Sequence, residues 1–204
     1  MIINNFNHLA NYFDNLKSKD DFYFVQLYQR KKDGHNLNKD KNVLESFYFY
    51  TKEEFLNSEN KIINLCHENN ARAYFWINPR NNKQIALNCI KQLTELVISG
   101  ECKSGFKTWV KQCGLTPSSD YDKLWVVDLD NKEELFQLQI TNLIKSCHSK
   151  FDNNVVDIIS TINGYHLITH PFDIMYFNTL CIFNNIEKID IHKNNSTLLY
   201  YEQN

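Results

Sequence analysis

Hydrophobic and polar positions along the N-terminal half of the chain predict three strands and three helices. The run Phe22–Tyr28 is rich in aromatic residues, which is typical of a strand that packs into a core. Thr51 precedes a helical pattern, and Glu54 lies three residues after Thr51. A capping box is therefore expected at the start of that helix. The predicted strands are Phe22–Tyr28, Phe47–Tyr50 and Ala71–Asn78, and the predicted helices are Asn5–Leu16, Thr51–His67 and Asn82–Ser99.

The C-terminal half continues this interleaving of strands and helices. Leu124–Leu129 is apolar up to Asp128, which indicates a buried strand. Asn163-Gly164 lies between two apolar runs and is a strong hairpin signal. The predicted strands are Leu124–Leu129, Val155–Thr161, Tyr165–Thr169, Ile186–Ile191 and Thr197–Tyr201, of which the last two would form a second hairpin, and the predicted helices are Lys132–Ser146 and Pro171–Ile182. The pattern predicts an α/β or α+β fold.

Composition adds bounds on size, location and partners. The 204 residues are 43% hydrophobic, which predicts a single domain with a sizeable core. The net charge of −2 does not by itself indicate a nucleic-acid binder, but it leaves room for a local basic groove. Lys103, Lys107 and Lys111 would form such a basic stripe on a helix, either as a solvated face or as a contact to phosphates. The absence of a signal peptide, of a long apolar run and of C-x-x-C pairs predicts a cytoplasmic protein with reduced thiols and no membrane partner.

Two acidic residues close the apolar strand of the C-terminal half. In Val127-Asp128-Leu129-Asp130 the two carboxylates are two positions apart, so on a strand both point to the same side. Carboxylates this close repel each other unless a cation lies between them, and Mg²⁺ and Mn²⁺ favour such oxygen ligands. The sequence therefore predicts a divalent-metal site at Asp128 and Asp130. The alternative is a strand end with two solvated acids.

The hairpin after this strand carries a histidine. In the segment from Thr161 to Thr169, Asn163-Gly164 precedes Tyr165-His166 at the start of an apolar strand. A histidine in this position can donate a hydrogen bond to a phosphate oxygen, and Gly164 would let the backbone approach a ligand closely. The alternative is a histidine that bonds to a neighbouring strand.

A third acidic residue, Asp190, lies within a late apolar strand, and the order of the three motifs resembles the archaeo-eukaryotic primase superfamily, which includes the primase-polymerases. In that family a hydrophobic-Asp-hydrophobic-acid motif is followed by small-x-His and then by a hydrophobic residue with an acid. Val127-Asp128-Leu129-Asp130 matches the first, Gly164-Tyr165-His166 the second and Ile189-Asp190 the third. Asp173 and Glu187 are alternatives for the third acid.

The resemblance implies an RRM-like catalytic sheet, approximately residues 116–204, packed with an N-terminal α/β module of residues 1–115. It also implies that Asp128, Asp130 and Asp190 hold Mg²⁺ or Mn²⁺ and that His166 contacts the triphosphate of an incoming nucleotide. The expected function is then a metal-dependent DNA primase or polymerase that uses NTPs or dNTPs on single-stranded or primed nucleic acid. The short chain fits a minimal, virus-like or phage-like member in the host cytoplasm that acts with replication partners.

Further residues are candidates for contacts with the nucleotide or the template. Thr161, Asn163 and Gly164 accompany His166 in its hairpin. Arg72 and Arg80 lie at the two ends of a predicted strand, and Arg30-Lys31-Lys32 ends another, so these cations are expected to face phosphates. Five aromatic residues of the first half are expected either to pack in the core or to stack on bases: Tyr23, Tyr28, Tyr48, Tyr74 and Trp76.

Two other functions fit the same residues. A HAD-like phosphatase also has an Asp-x-Asp loop, in which the first Asp is the nucleophile. Asn131 and Lys132 follow the second acid here, where that family usually has a glycine and a threonine. The other alternative is a non-catalytic nucleotide- or partner-binding relative of the same fold.

Overall fold

The computed structural model describes residues 1–100 and 113–202 and has two antiparallel sheets with helices packed on them. The predicted mixture of strands and helices is confirmed. The predicted basic stripe of Lys103, Lys107 and Lys111 lies outside the described residues. Within the described ranges, no helix combines the length and the apolar character needed to cross a membrane.

The first sheet is built mainly from the N-terminal half. Its strands are β1 (Ile2–Asn4), β2 (Asp21–Arg30), β3 (Lys41–Phe49), β4 (Arg72–Trp76), the short β5 (Arg80–Asn81) and β10 (Ser196–Glu202), and its helices are α1 (Phe6–Ala10), α2 (Lys52–Asn57), α3 (Glu59–Asn69) and α4 (Asn82–Ser99). The strand order is β1-β10-β4-β2-β3, and β5 pairs with β2. Alternate residues of β2 and β4, such as Val25 and Phe75, pack in an aromatic core with Phe6 of α1 and Phe55 of α2.

Local side chains explain where the N-terminal helices begin and end. The capping box is confirmed, because Thr51 accepts from the Glu54 backbone N–H and the Glu54 carboxylate accepts from the Thr51 N–H. The predicted single helix after Thr51 is divided at Ser58, whose hydroxyl donates to the Phe55 carbonyl and competes with the helical ladder. Helix α4 has its predicted bounds, with the Asn81 side chain accepting from the Gln84 N–H at its start.

The second sheet is formed by the C-terminal half. Its elements are β6 (Trp125–Leu129), α5 (Glu134–Lys145), β7 (Val155–Ser160), β8 (Tyr165–Thr169), α6 (Ile174–Phe183) and β9 (Asp190–His192). The strand order is β7-β8-β6-β9. Val127, Leu129 and Leu167 point to one face, where they pack against Ile140 of α5 and Phe177 of α6. On the other face, Val126, Ile159 and Ile168 join the core of the first sheet.

Two predictions about this half are wrong. Pro171 is not the first residue of α6, because the helix begins at Ile174 and Asp173 caps it by accepting from the Tyr176 N–H. The second hairpin does not form either: β9 pairs with β6, whereas β10 crosses to the first sheet and lies between β1 and β4. Six of the seven residues of β10 are buried, which suits an inner strand better than an edge. The first sheet is therefore completed by residues beyond the expected module boundary.

Candidate functional site: a cationic cleft beside Asp128

Strand β6 brings the three sequence motifs into one row. Asp128 lies directly opposite His166 of β8 on one side and directly opposite Asp190 of β9 on the other. Residues directly opposite each other in an antiparallel sheet point to the same face. Asp128, His166 and Asp190 therefore share the face of the sheet opposite α5 and α6. The predicted spatial association of these residues is present.

His166 is held from two sides. Its Nε2 lies 3.4 Å from Asp128 Oδ1, and its Nδ1 lies 2.8 Å from the Thr197 hydroxyl oxygen. Burial would raise the pKa of Asp128, but the hydrogen bond with His166 and the electrostatic effect of His166, His192 and Lys32 outweigh it and lower that pKa. Asp128 is therefore a carboxylate at neutral pH. Because Thr197 belongs to β10, the ring of His166 also connects the two sheets.

A cleft of about 230 Å³ opens beside this row and is lined by four basic side chains of the first sheet and its loops. These are Arg30, Lys32, Lys41 and Arg72, and they face Asp128, Asp130, Thr161, Asn163, His166 and His192 across the cleft. The pKa of Lys32 is lowered by desolvation and by the like charges of Arg30 and Arg72. The negative charges of Asp33 and Asp130 raise it by a smaller amount. Such a concentration of cations favours binding of an anion.

The cations of the cleft differ in their existing partners. Arg72 is buried, pairs with Asp33 through two of its nitrogens and lies 4.3 Å from the centre of the Tyr201 ring. Arg30 donates to the Tyr74 hydroxyl at 2.9 Å, while its Nε is buried without a partner. Within residues 1–100 and 113–202, no carboxylate forms an ion pair with Lys32. Arg30 and Lys32 are therefore best placed to bind an anion, and Arg72 supports the cleft wall.

Gly164 is in tight contact with the backbone on either side of Asp130. A Cβ at this position would lie 2.0 Å from the Leu129 carbonyl oxygen and 2.7 Å from backbone atoms of Asn131. The hairpin turn is closed by the Thr161 N–H donating to the Gly164 carbonyl at 2.9 Å and by the Gly164 N–H donating to the Thr161 hydroxyl. Gly164 thus lets the hairpin pack onto the chain on either side of Asp130.

The acids beside Asp128 occupy the rim of a second opening. Asp128 and Asp130 line both clefts, while Asp190 and Glu187 line only the second, which has a volume of about 600 Å³. Within the described residues, no three acidic, histidine or cysteine side chains come together as a ready metal cage. Mg²⁺, however, is commonly bound by one or two carboxylates and by the phosphates of a substrate. The ionised Asp128 beside Asp130 fits a cation of that kind.

Two other predicted residues lie elsewhere. Arg80 is fully buried, with its guanidinium against the stacked rings of Phe24 and Trp76, and it does not line the cleft. Asp173 is the cap of α6. Arg72, Thr161, Asn163 and His166 do line the cleft.

Three residues of the site were missed by sequence reasoning. His192 lies two residues after Asp190 on β9 and therefore shares its face, a spacing that the sequence does display. Lys41 reaches the cleft because β3 begins at this residue, six positions before the start of the predicted strand Phe47–Tyr50. Thr197 is brought to His166 only by the passage of β10 into the first sheet, which no local pattern indicates.

We expect Gly164→Ala to destabilise the protein, because its methyl group would overlap the Leu129 carbonyl and displace the segment that carries Asp130. Overpacking of this kind costs roughly 1–3 kcal/mol. Urea unfolding followed by circular dichroism measures the loss as a lower midpoint.

Gly114→Ala is the matched control, since a Cβ there meets no atom of residues 1–100 or 113–202 within 4 Å. It should leave the midpoint unchanged or raise it slightly. Equal midpoints for Gly164→Ala and the wild type would contradict the packing role of Gly164.

Comparisons of this chain with protein-family models, with curated proteins and with solved structures found no match. The function must therefore be argued from the chemistry of the cleft itself.

Proposed function

We propose that this chain is a metal-dependent nucleotidyltransferase of the primase-polymerase type. The observation that carries the proposal is the alignment of Asp128 with His166 and Asp190 beside a cleft lined by Arg30, Lys32 and other cations. A nucleoside triphosphate presents several negative charges, and together with a divalent cation it complements both the basic side and the acidic side of such a cleft. The three motifs of the sequence meet in the row of the sheet beside this cleft.

The connectivity of the second sheet supports the RRM-like part of this proposal. The elements follow one another as β6-α5-β7-β8-α6-β9, and β6 and β8 are the two inner strands. This β-α-β-β-α-β order, with both helices on one face, is that of the ferredoxin-like fold, to which RRM-like sheets correspond. The resemblance of the motifs to the primase superfamily implies such a sheet, so the motifs and the connectivity point to the same class.

The proposed reaction joins a 3′-hydroxyl to the α-phosphate of a bound NTP or dNTP and releases pyrophosphate. Arg30 and Lys32 would bind the phosphate oxygens, and His166 would donate a hydrogen bond to the triphosphate from the ring nitrogen that faces Asp128. Asp128 and Asp130 would hold Mg²⁺ or Mn²⁺. The bound metal would neutralise charge on the phosphates and lower the pKa of the attacking hydroxyl. Asp190, in the same row, is the proposed third acid.

A non-catalytic nucleotide-binding relative is the second candidate. It is favoured by the four cations of the cleft, Arg30, Lys32, Lys41 and Arg72, which can bind the phosphates of a nucleotide without a metal. Such a protein would bind a nucleotide in the cleft and leave it unchanged. A phosphatase would instead release inorganic phosphate, so identification of the product separates all three functions.

We expect Asp128→Asn to reduce nucleotide incorporation by at least about 100-fold, the size typical of losing a charge-stabilising group at a reacting centre. The substitution keeps the shape of the side chain and removes its charge. The assay is extension of a labelled primer, and of an unprimed single strand, with NTPs or dNTPs and Mn²⁺, with pyrophosphate measured in parallel.

Asp152→Asn is the control, because Asp152 is an exposed carboxylate that lines neither cleft. It should retain wild-type incorporation. Equal incorporation by wild type and Asp128→Asn would refute the proposal, and nucleotide binding without any incorporation would favour the non-catalytic relative.

We expect His166→Ala to raise KM for the nucleotide by roughly 10-fold or more, with a smaller effect on kcat, because a hydrogen bond to a charged group is worth about 1.5–3 kcal/mol. Steady-state kinetics with varied NTP concentration measures both constants. His8→Ala is the control: His8 also pairs with an aspartate, Asp157 at 2.8 Å, but lies outside the cleft. A KM that is the same in His166→Ala and the wild type would exclude the proposed phosphate contact.

A further inference from the structure

One face of the first sheet carries aromatic side chains that point away from α1 and α2. Because side chains alternate along a strand, the burial of Val25 and Phe75 against α1 and α2 turns Phe24 and Trp76 to the opposite face. Tyr48 of β3 lies directly opposite Phe24 of β2. Tyr74 lies two residues before Trp76 on β4. We call Phe24, Tyr48, Tyr74 and Trp76 the aromatic face.

The rings of this face form an ordered row. The Phe24 ring lies 5.1 Å from the Trp76 ring at an interplanar angle of 15° and 6.1 Å from the Tyr48 ring at 26°. Tyr48 is 58% exposed, and Trp76 and Tyr74 are half-buried. Exposed or half-buried rings in fixed orientations are the platform on which bases of a single strand stack.

Hydrogen bonds hold the row in place. The Gln26 side-chain oxygen accepts from Trp76 Nε1 at 2.9 Å and from the Tyr28 hydroxyl at 2.5 Å, and its amide nitrogen donates to Ser46 Oγ at 3.1 Å. Gln26 therefore fixes the Trp76 ring. An aromatic side chain held in this way loses little conformational entropy when a partner stacks on it.

The aromatic face runs into the cationic cleft. Tyr74 lines the cleft and accepts a hydrogen bond from Arg30, and Lys41 lies 4.4 Å from the centre of the Tyr28 ring. From Arg30 back to Phe24, a rise of ~3.4 Å per residue gives a path of about 20 Å. Cations at one end and rings along the length complement the phosphates and the bases of an extended strand.

A buried cation lies beneath the same face. The Arg80 guanidinium is 5.2 Å from the centre of the Phe24 ring and 5.4 Å from that of Trp76, and burial lowers its pKa to about 10. Within the described residues it has no carboxylate partner, and its Nε has no hydrogen-bond partner. Its charge is therefore not neutralised locally, and it adds positive potential under the rings.

We propose that the aromatic face binds single-stranded nucleic acid and leads it into the cleft beside Asp128. Tyr48, Tyr74 and Trp76 stack on bases, and Arg30, Lys32 and Lys41 contact phosphates. This inference rests on the proposed function, in which the bound strand is the template. The surface binds its strand by stacking and charge, however, and needs neither a divalent cation nor a nucleotide.

The test is fluorescence anisotropy of a labelled oligothymidylate in EDTA without nucleotide, so that catalysis does not enter. Tyr48→Ala and Trp76→Ala should each weaken binding by roughly 5-fold or more, the loss expected for one base-stacking platform. Tyr48→Phe and Trp76→Phe keep a ring and should bind within about 2-fold of wild type. Tyr48 is exposed and its substitutions should not affect folding, which a circular dichroism melt verifies.

The dependence of binding on salt separates stacking from phosphate contact. Tyr48→Ala should leave the slope of log K against log salt concentration unchanged. Lys32→Gln should reduce the magnitude of this slope by about 1, the amount expected for one lost phosphate contact.

Equal oligonucleotide affinity of wild type, Tyr48→Ala and Trp76→Ala would overturn the inference, as would equal affinity of the wild type for a duplex of the same length. If the wild type dimerises, Tyr48→Ala is monomeric and both bind the oligonucleotide equally, the face at the edge strand β3 is a self-association surface instead. Retained oligonucleotide binding by a protein that incorporates no nucleotide would refute only the proposed function.

Discussion

The arrangement of the cleft depends on the register in which β6 pairs with β8 and β9. Side chains on a strand alternate between the two faces, so a slip of one residue would turn Asp128 into the helix-packed core and Val127 into the cleft. Burial of Val127 and Leu129 against α5 and α6 resists that slip. The same apolar contacts that stabilise the second sheet therefore fix Asp128 opposite both His166 and Asp190. Gly164 supports this register, because its lack of a Cβ lets the hairpin contact the chain around Asp130.

The cleft also needs the two sheets to stay in fixed relation. Strand β10 starts just after β9 of the second sheet and is an inner strand of the first. Through Thr197 it holds His166, and Ser196 and Leu198 line the cleft next to the cations. Val126 and Ile168 extend the core of the first sheet across the boundary. The basic residues of one sheet and the acids of the other are thereby brought to a single site.

Sequence reasoning identified the features whose cause is local. The hairpin at Asn163-Gly164, the capping box at Thr51 and the alternation around Asp128 each depend on neighbours within a few residues. It could not identify the strand exchange of β10, because pairing with β4 is set by packing between segments over a hundred residues apart. For the same reason Thr197 was missed. Lys41 was missed because β3 begins six residues before the predicted strand. Arg80 was expected to contact the nucleotide or the template, but it is buried against the rings of Phe24 and Trp76.

The structure sorts the aromatic residues of the first half more finely than composition can. Tyr23 is in the core, whereas Tyr48 on the neighbouring strand is exposed and Trp76 is held at the surface by Gln26. Trp76 and Tyr48 thus differ from Tyr23 in what they can contact.

The central claim is that Asp128 and the basic side of the cleft bind a nucleotide and a divalent cation together. Calorimetric titration with a non-hydrolysable nucleoside triphosphate, in Mn²⁺ and in EDTA, tests it most directly. The account predicts tighter binding in Mn²⁺ for the wild type and no such gain for Asp128→Asn, whereas the same gain in both proteins, or in neither, would contradict it.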